Sequence, residues 1–522
     1  MLPTRDAIGE SPPQSGGVRR KILPISRLAG IVEESSSKGL KTVHCHGVFD
    51  PIHVGHIRHF EQARKFGDVL VVTVTPDRHV NKGPHRPIFP EQLRAEAVAA
   101  LEVVDYVGIN EWPTAVECIR ALKPTVYVKG GEFRSGFDRT GALGAEAEAV
   151  ESLGGRIDFT DDITFSASRL VNRHLGVFSE EARDYLIDFT ARFAPADVVS
   201  VLERVQQTKV LVVGDAIVDE YVYCEAIGKS SKEPTLVVKQ QFMERFAGGA
   251  LAVANHLASF VDRVDLVTML GTDEHSERFV RDQLRPQVLP RFLHRPDAPT
   301  ILKRRYVESY FLNKLFEVYE LEDTRLDPAL EDAFALEAGR GLEEYDLVLA
   351  CDFGHGTVGA PTIRRLCDGA RYLVLNTQSN AGNLGYHTVS HYPRADFVCV
   401  AENEMRLEAR DRRGDLREIM LQVAERLHVD RMVVTRGKHG CLTYSRADGF
   451  REVPAFAGQV VDRVGAGDAF LSVASLCMVA GVPMEVAGFI GNVAGAEAVA
   501  TVGNRTPLQR ATFLRHLEHL LK

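Results

Sequence analysis

The chain has 522 residues, too many for one compact core, so two or three domains are expected. It is 45% hydrophobic and 25% charged, the balance of an ordinary α/β protein, and its net charge of −9 argues against a general nucleic-acid or membrane-surface binder. Eight cysteines stand singly with no CxxC pair, which suits reduced cytoplasmic thiols, and no apolar run reaches the ~18 residues needed to cross a bilayer.

In chain order, residues 1–40 open with MLPTRDAIGESPPQSGGVRRK, which lacks the apolar centre of a signal peptide and reads as a disordered tail. A first unit is expected over 41–176. Strand patterns at TVHCHGVF, DVLVVTVTP, DYVGI and TVYVKGG alternate with helix patterns at HIRHFEQARKFG, PEQLRAEAVAALE and TAVECIRALK. That alternation signals a parallel sheet with helices on its faces. Residues 177–207 are helical and charged, suiting a connector. Over 208–522 the pattern restarts from a glycine-ended strand, KVLVVG, and returns at VDLVTML, DLVLACDFG, YLVLNTQ, DFVCVAE and RMVVTRG. TLVVKQQFMERF and TILKRRYVESYFLNKLFEVYEL are β-branched and alternating, which predicts a small antiparallel lid. The fold class is therefore α/β, with two parallel-sheet domains, the second bearing a β lid.

The stretch HGVFDPIHVGH, His46 to His56, brings chemistry to the end of the first strand. Gly47 and Phe49 close that strand at the carboxyl edge, where open α/β sheets bind ligands, Asp50 with Pro51 makes the turn, and Gly47, Phe49 and Asp50 are candidates for nucleotide binding. His53 and His56 then fall in the first helical turn on one face, with Gly55 between them for close approach. Two imidazoles at a helix N-terminus suit a phosphate whose charge grows during transfer. A histidine pair is also a common metal pair, but zinc needs further ligands and the flanks hold neither HExxH nor CxxC. Lys82, Arg86 and Lys129 add basic groups at or just after strand ends.

GxFDPxHxGH, KGxxRP, VKGGE and the late TFSASRL occur in this order, and the set resembles the nucleotidyltransferase superfamily of cytidylyl- and adenylyltransferases over 41–174. The resemblance implies a Rossmann-like domain. In it a substrate phosphate would attack the α-phosphate of a nucleoside triphosphate, ATP or alternatively CTP. His53 and His56 would stabilise the transition state, with Lys82 on the phosphates and Ser166 and Ser168 on the β and γ phosphates. Ala167 interrupts the usual serine/threonine-rich run. Within the superfamily the resemblance is to the adenylyltransferase half of bifunctional heptose-phosphate enzymes.

A second glycine-rich stretch, VDRVGAGDAF, places Gly465, Ala466 and Gly467 before Asp468 and an apolar helix. Successive N–H groups in such a turn form an anion hole, and an acid there can take the proton of an attacking hydroxyl, although a GxGD can also be a plain helix cap. Upstream lie Asp215 and Asp219 in GDAIVDEY, expected just after a strand, and Gly248, Gly249 and Asn255 in FAGGALAVAN. Thr435, Gly437 and Gly440 follow in VVTRGKHG. The set resembles the ribokinase/phosphofructokinase-B family of sugar kinases over 194–522, which implies Asp468 as catalytic base and Gly465 to Gly467 as the anion hole. Asn403, Thr435, Gly437, Gly440 and Asn492 would then lie by ATP, and Asp215, Asp219, Gly248, Gly249 and Asn255 by the sugar.

KSSKEPTLVVK, TILKRRYV and ACDFGHG resemble the heptose-phosphate kinase branch, whose members act on the anomeric hydroxyl of a heptose 7-phosphate, and Asp352 in the last of them is a candidate for binding that substrate. Lys303 and Arg305 are candidates for the distal phosphate, or equally for a solvated strand face. Magnesium is implied, but the NxxE element reads Asn403-Glu404-Met405-Arg406, with arginine where the metal-organising acid is expected; either Glu404 or Glu402 substitutes, or the metal is held differently. The threonine usually found before GAGD is replaced by Arg463-Val464.

Together the two resemblances imply a bifunctional enzyme making a nucleotide-activated sugar such as ADP-heptose. The domain order is reversed from the familiar kinase-first arrangement. The alternatives are CTP with another sugar or polyol phosphate, or one domain kept as a binding module. A homodimer through the kinase lid is a further expectation.

Overall fold

The computed structural model describes residues 18–80, 86–131, 142–160, 178–322, 324–458 and 460–522. The chain divides into two compact units, Met1–Leu175 with Lys522, and Gly176–Leu521.

The first unit is a five-stranded parallel sheet of β1 (Thr42–Gly47), β2 (Val69–Val74), β3 (Tyr106–Ile109), β4 (Val126–Lys129) and β5 (Arg156–Phe159), in the order β3-β2-β1-β4-β5. Strand alternation divides the core between the two faces. Val43, Cys45, Leu70 and Val72 pack with Phe60, Ala95 and Val98 on one side. Val71 packs with Cys118 and Leu122 on the other. β1 lies at the centre, so the residues that follow it leave the sheet at its middle.

The expected tail over 1–40 does not hold for its described part. Ile25–Ser37 is a helix whose Ile25, Leu28 and Val32 join Val71 and Cys118 in the core. A side chain at Gly108 would meet Leu28 at 2.6 Å, so β3 and this helix are in close contact. The i, i+3, i+7 spacing of those three apolar residues was the available signal.

The second unit is built on one long strand, β6 (Val210–Lys229), which belongs to both the body and the lid. Its first part pairs in parallel with β8 (Val264–Gly271) and β12 (Leu347–Asp352). β9 (Val288–Arg295) extends the body sheet beyond β8. β13 (Leu373–Thr377), β14 (Phe397–Ala401) and β15 (Arg431–Thr435) continue it in parallel, and β16 (Cys441–Ser445) and β17 (Gly449–Val453) close it antiparallel. Beyond residue 216, β6 pairs antiparallel with β7 (Leu236–Gly249) and parallel with β10 (Ile301–Glu308), which holds the antiparallel β11 (Lys314–Glu320). The lid is thus mixed rather than purely antiparallel.

Gly214 does not end a strand as expected. A Cβ there would lie 2.0 Å from the Cys351 carbonyl, so the glycine permits close approach of β12, and Asp215 and Asp219 lie inside β6 rather than after it. The connector is also corrected. Helices Glu180–Arg192 and Pro195–Arg204 bury Leu186, Phe189, Val198 and Leu202 in the second unit's main core, because their apolar faces need cover.

Candidate active sites

In the first unit, β1 delivers its residues to the carboxyl edge of the sheet. Phe49 turns the chain with φ +51, and its ring lies 2.9 Å from where a Gly47 side chain would begin, so Gly47 admits that ring. Phe49 in turn meets the edge of His56 at 5.3 Å and Phe60 at 5.1 Å. His53 is the N-cap of the helix Val54–Arg64 rather than a member of its first turn, because its Nδ1 accepts the Gly55 N–H at 3.1 Å. The His53 and His56 rings stack at 3.8 Å with 24° between their planes. Two imidazoles are therefore held together at a helix N-terminus, as the clamp for a phosphoryl group requires.

The basic groups divide. Arg86 is enclosed beside Asp50 at 3.9 Å, and its Nη1 has no hydrogen-bond partner among the described residues. Burial lowers its pKa against the opposing pull of Asp50. Asp50 itself is corrected from a ligand-binding group to a structural one: its carboxylate accepts the N–H groups of Ile88 at 2.6 Å and Phe89 at 3.0 Å. Lys129 is likewise committed, forming an ion pair with Glu146 at 2.7 Å, because that nearly buried acid needs a partner. Lys82, Ser166, Ser168 and the acid of VKGGE lie outside the described residues.

Three side chains here were given no role from the sequence. Arg94, 1% exposed, donates to the carbonyls of Val48 at 2.6 Å, Thr75 at 2.9 Å and Phe89 at 2.8 Å, and to Asp77 at 2.5 Å. One guanidinium thus ties together the loops that surround the histidines. His46 and His44 both bond Thr73, at 2.9 and 2.7 Å, and His46 also bonds Thr75. Burial first, then the Lys129 charge, depresses both imidazoles, His44 to about 3, so they remain neutral.

In the second unit the turn before the helix Ala466–Val479 has Gly465 at φ +87, where a side chain would strike Asn504 at 2.0 Å. Gly467 faces open space, and Ala466 lies between them in the first turn. Asp468 follows in the same turn. Its carboxyl is pushed up to about 7, chiefly by burial, then by Asp219, with Lys303 opposing. A carboxyl of that pKa is matched to taking a proton near neutrality. Thr435 ends β15, Gly437 at φ +56 faces open space, and Gly440 passes too near the Val453 carbonyl for any side chain.

Asp219 is 4% exposed and bonded to Arg305, and a side chain at Gly248 would lie 2.2 Å from its carboxylate, so that glycine makes room for the acid. Gly249, at φ +57, passes close to the Asp215 carbonyl. Arg305 also meets Glu317 at 3.2 Å, so its charge is answered within the protein and it is not a free phosphate ligand. Lys303, 5% exposed, lies over the Tyr319 ring at 5.3 Å.

Several expected ligand groups are instead scaffolding. Asp215 accepts the N–H groups of Phe353 at 2.8 Å, Thr357 at 3.3 Å and His355 at 3.4 Å, and so anchors the loop after β12. Asp352 accepts from Tyr392 at 2.7 Å and Gly354 at 3.2 Å and pairs with His387 at 2.7 Å. Asn255 is turned to the 283–285 segment, bonding the Gln283 carbonyl and the Arg285 N–H, both at 2.9 Å. The Asn492 amide donates to the carbonyls of Val453 at 3.0 Å and Pro454 at 3.1 Å. Asn403 is exposed on the helix Glu402–Ala409.

Glu404 does not fit a magnesium ligand. Its two oxygens accept the N–H groups of Ala401 at 2.7 Å and Ser379 at 3.1 Å, which caps that helix, and Arg406 is bonded to Glu402 and to the Gly414 carbonyl, both at 2.9 Å. Among the described residues no group of three or more metal-ligating side chains converges. No helix among them is long and apolar enough to cross a membrane.

Comparison with known proteins matches two stretches of the chain separately. Residues 207–511, more than half of the chain, match the pfkB family of carbohydrate kinases, and residues 44–170 match the cytidylyltransferase-like family. A bifunctional protein HldE from Geobacter metallireducens is 36% identical over 182 residues, covering 34% of this chain and 35% of the relative. Another from Geotalea uraniireducens is 39% identical over 153 residues, 29% of each. The chain thus matches about a third of the length of these curated relatives. Among solved structures, phosphofructokinase-2 from Escherichia coli is 14% identical over 60% of this chain and 99% of that one, with a TM-score of 0.47.

Proposed function

Because the chain belongs to the pfkB family of carbohydrate kinases and carries a cytidylyltransferase-like segment before its kinase region, we propose that it makes a nucleotide-activated sugar in two steps. In the first, a sugar hydroxyl attacks the γ-phosphate of ATP, Asp468 takes the hydroxyl proton, and the turn Gly465 to Gly467 receives the phosphoryl oxygens. In the second, the new sugar phosphate attacks the α-phosphate of a nucleoside triphosphate and pyrophosphate leaves. His53 and His56 then donate to the oxygens on which charge grows, beside Arg86. The substrate of the first step is proposed to be a heptose 7-phosphate and the final product ADP-heptose. Magnesium is proposed to enter with the nucleotide phosphates, without Glu404 as a ligand. A second copy of the chain is proposed to cover the lid.

The observation that carries this reading is Asp468, a half-buried carboxyl pushed up to about 7 in the first turn of a helix that Gly465 caps and in which Gly467 faces open space. A second reading draws on Glu404 and Arg406, both committed within the protein: the kinase unit is retained for binding without transfer.

The test is the whole chain with heptose 7-phosphate and ATP, following ADP and pyrophosphate separately. Both products are expected. Asp468→Asn should lower ADP release by roughly 10³-fold or more, and His56→Ala should lower pyrophosphate release by roughly 10²-fold while sparing ADP. An Asp468→Asn variant that leaves ADP release unchanged favours the second reading, and release of neither product defeats the proposal.

A further inference from the structure

One buried carboxylate joins the lid of the second unit to the glycine turn. Asp462, 8% exposed, stands shortly before Gly465. Its Oδ1 accepts from the Lys314 ammonium at 2.8 Å and from the Val464 N–H at 3.2 Å. Its Oδ2 accepts from the Tyr221 hydroxyl at 2.6 Å and from the Gly503 N–H at 3.1 Å. Each oxygen thus takes one donor from a lid strand, β11 or β6, and one from backbone beside the turn. Burial alone would raise this carboxyl, but the Lys314 and Tyr221 bonds hold it below the ordinary carboxylate range.

The two backbone donors bracket the turn. Val464 directly precedes Gly465, the cap of the helix Ala466–Val479, and a side chain on Gly465 would meet Asn504, the neighbour of Gly503, at 2.0 Å. The Val461 and Asp462 N–H groups both donate to the Val499 carbonyl, at 2.7 and 3.2 Å. A shift of Asp462 therefore moves the chain on both sides of the turn. On the lid side Tyr221 is itself fixed. It is 1% exposed, its ring meets Phe246 edge-on at 5.4 Å, and the Arg305 guanidinium lies 5.5 Å from the ring centre. Arg305 is held in turn by Asp219, which lies on the same face of β6 as Tyr221.

We propose that Lys314 and Tyr221 are positioning residues for phosphoryl transfer, and that through Asp462 the lid holds the turn Gly465 to Gly467 in place. This rests on the kinase reading above. A charged donor and a hydroxyl meeting one buried carboxylate fix it more firmly than the two backbone N–H groups alone. Donors to a phosphoryl group in flight act fully only when they are accurately placed, so a loosened Asp462 lowers the rate of transfer rather than the binding of ATP.

The test measures ADP release by the whole chain with ATP and heptose 7-phosphate. Turnover is divided by the number of ATP sites titrated in the same sample, so a loss of folded protein does not move it. Lys314→Met should lower turnover per site by about tenfold or more and shift KM for ATP by less than about threefold, and Lys314→Arg should restore turnover to within about threefold. Tyr221→Phe, which keeps the ring and loses the hydroxyl, should also lower turnover per site. Turnover per site kept by Lys314→Met or by Tyr221→Phe, even with a lower unfolding temperature, defeats the coupling alone, and so does an equal loss in Lys314→Arg. No ADP release by the unaltered protein defeats the kinase reading and the coupling together.

Discussion

Asp468 turns a half-buried carboxyl into a pH dependence. Burial, and then Asp219, push its carboxyl up to about 7, so the protonated form predominates below neutrality. A base must be deprotonated, so kcat/KM for sugar phosphorylation should rise about tenfold per pH unit up to roughly 7 and then level. A profile that levels near the ordinary carboxylate range, about 4, removes Asp468 from the role of base. Stability runs the opposite way. The folded protein holds this proton more tightly than the unfolded chain, so the contribution is fully present below about 4 and is lost as pH rises through about 7. Asp468→Asn should flatten that slope in thermal unfolding measured across the same range.

At the scale of elements, the helix Glu402–Ala409 shows how one acid can imitate a metal ligand. Glu404 lies where the sequence offers an acid for magnesium, yet its two oxygens receive the Ala401 and Ser379 N–H groups. A helix start leaves N–H groups unpaired, and an acid in the first turn satisfies them locally. Glu404→Ala should therefore cost about 1–2 kcal/mol in denaturant unfolding and leave the magnesium concentration for half-maximal kinase rate unchanged. A shift of about tenfold or more in that concentration would return Glu404 to the metal. Arg94 has the same character in the first unit: a single buried side chain fixes three loop carbonyls, so the histidine pair has rigid surroundings.

At the scale of the whole molecule, the lid strands leave Phe242 at 52%, Met243 at 48% and Phe316 at 50% exposure. Apolar exposure of this kind is unusual on a surface that meets only water. The proposed second copy would bury it, so light scattering should give twice the chain mass, and Phe242→Glu with Phe316→Glu should give the single mass. A monomer in the unaltered protein rejects the dimer.

The sequence by itself determined the two α/β units and the local backbone setting of both candidate sites. Those features depend on short-range rules: period-two strands, a cap two residues from Gly55, and a glycine turn directly ahead of Asp468. Only the tertiary structure decided which polar groups remain available to ligands. Asp50 is answered by an N–H 38 residues away, Asp215 by one 138 residues away, and Asn492 by a carbonyl 39 residues away. A carboxylate in a motif looks the same whether it will meet a substrate or a distant backbone amide. Because buried polar groups must be paired, the fold makes that choice, and among the described residues Arg86 Nη1 and His355 Nε2 are among the buried atoms it leaves without a hydrogen-bond partner.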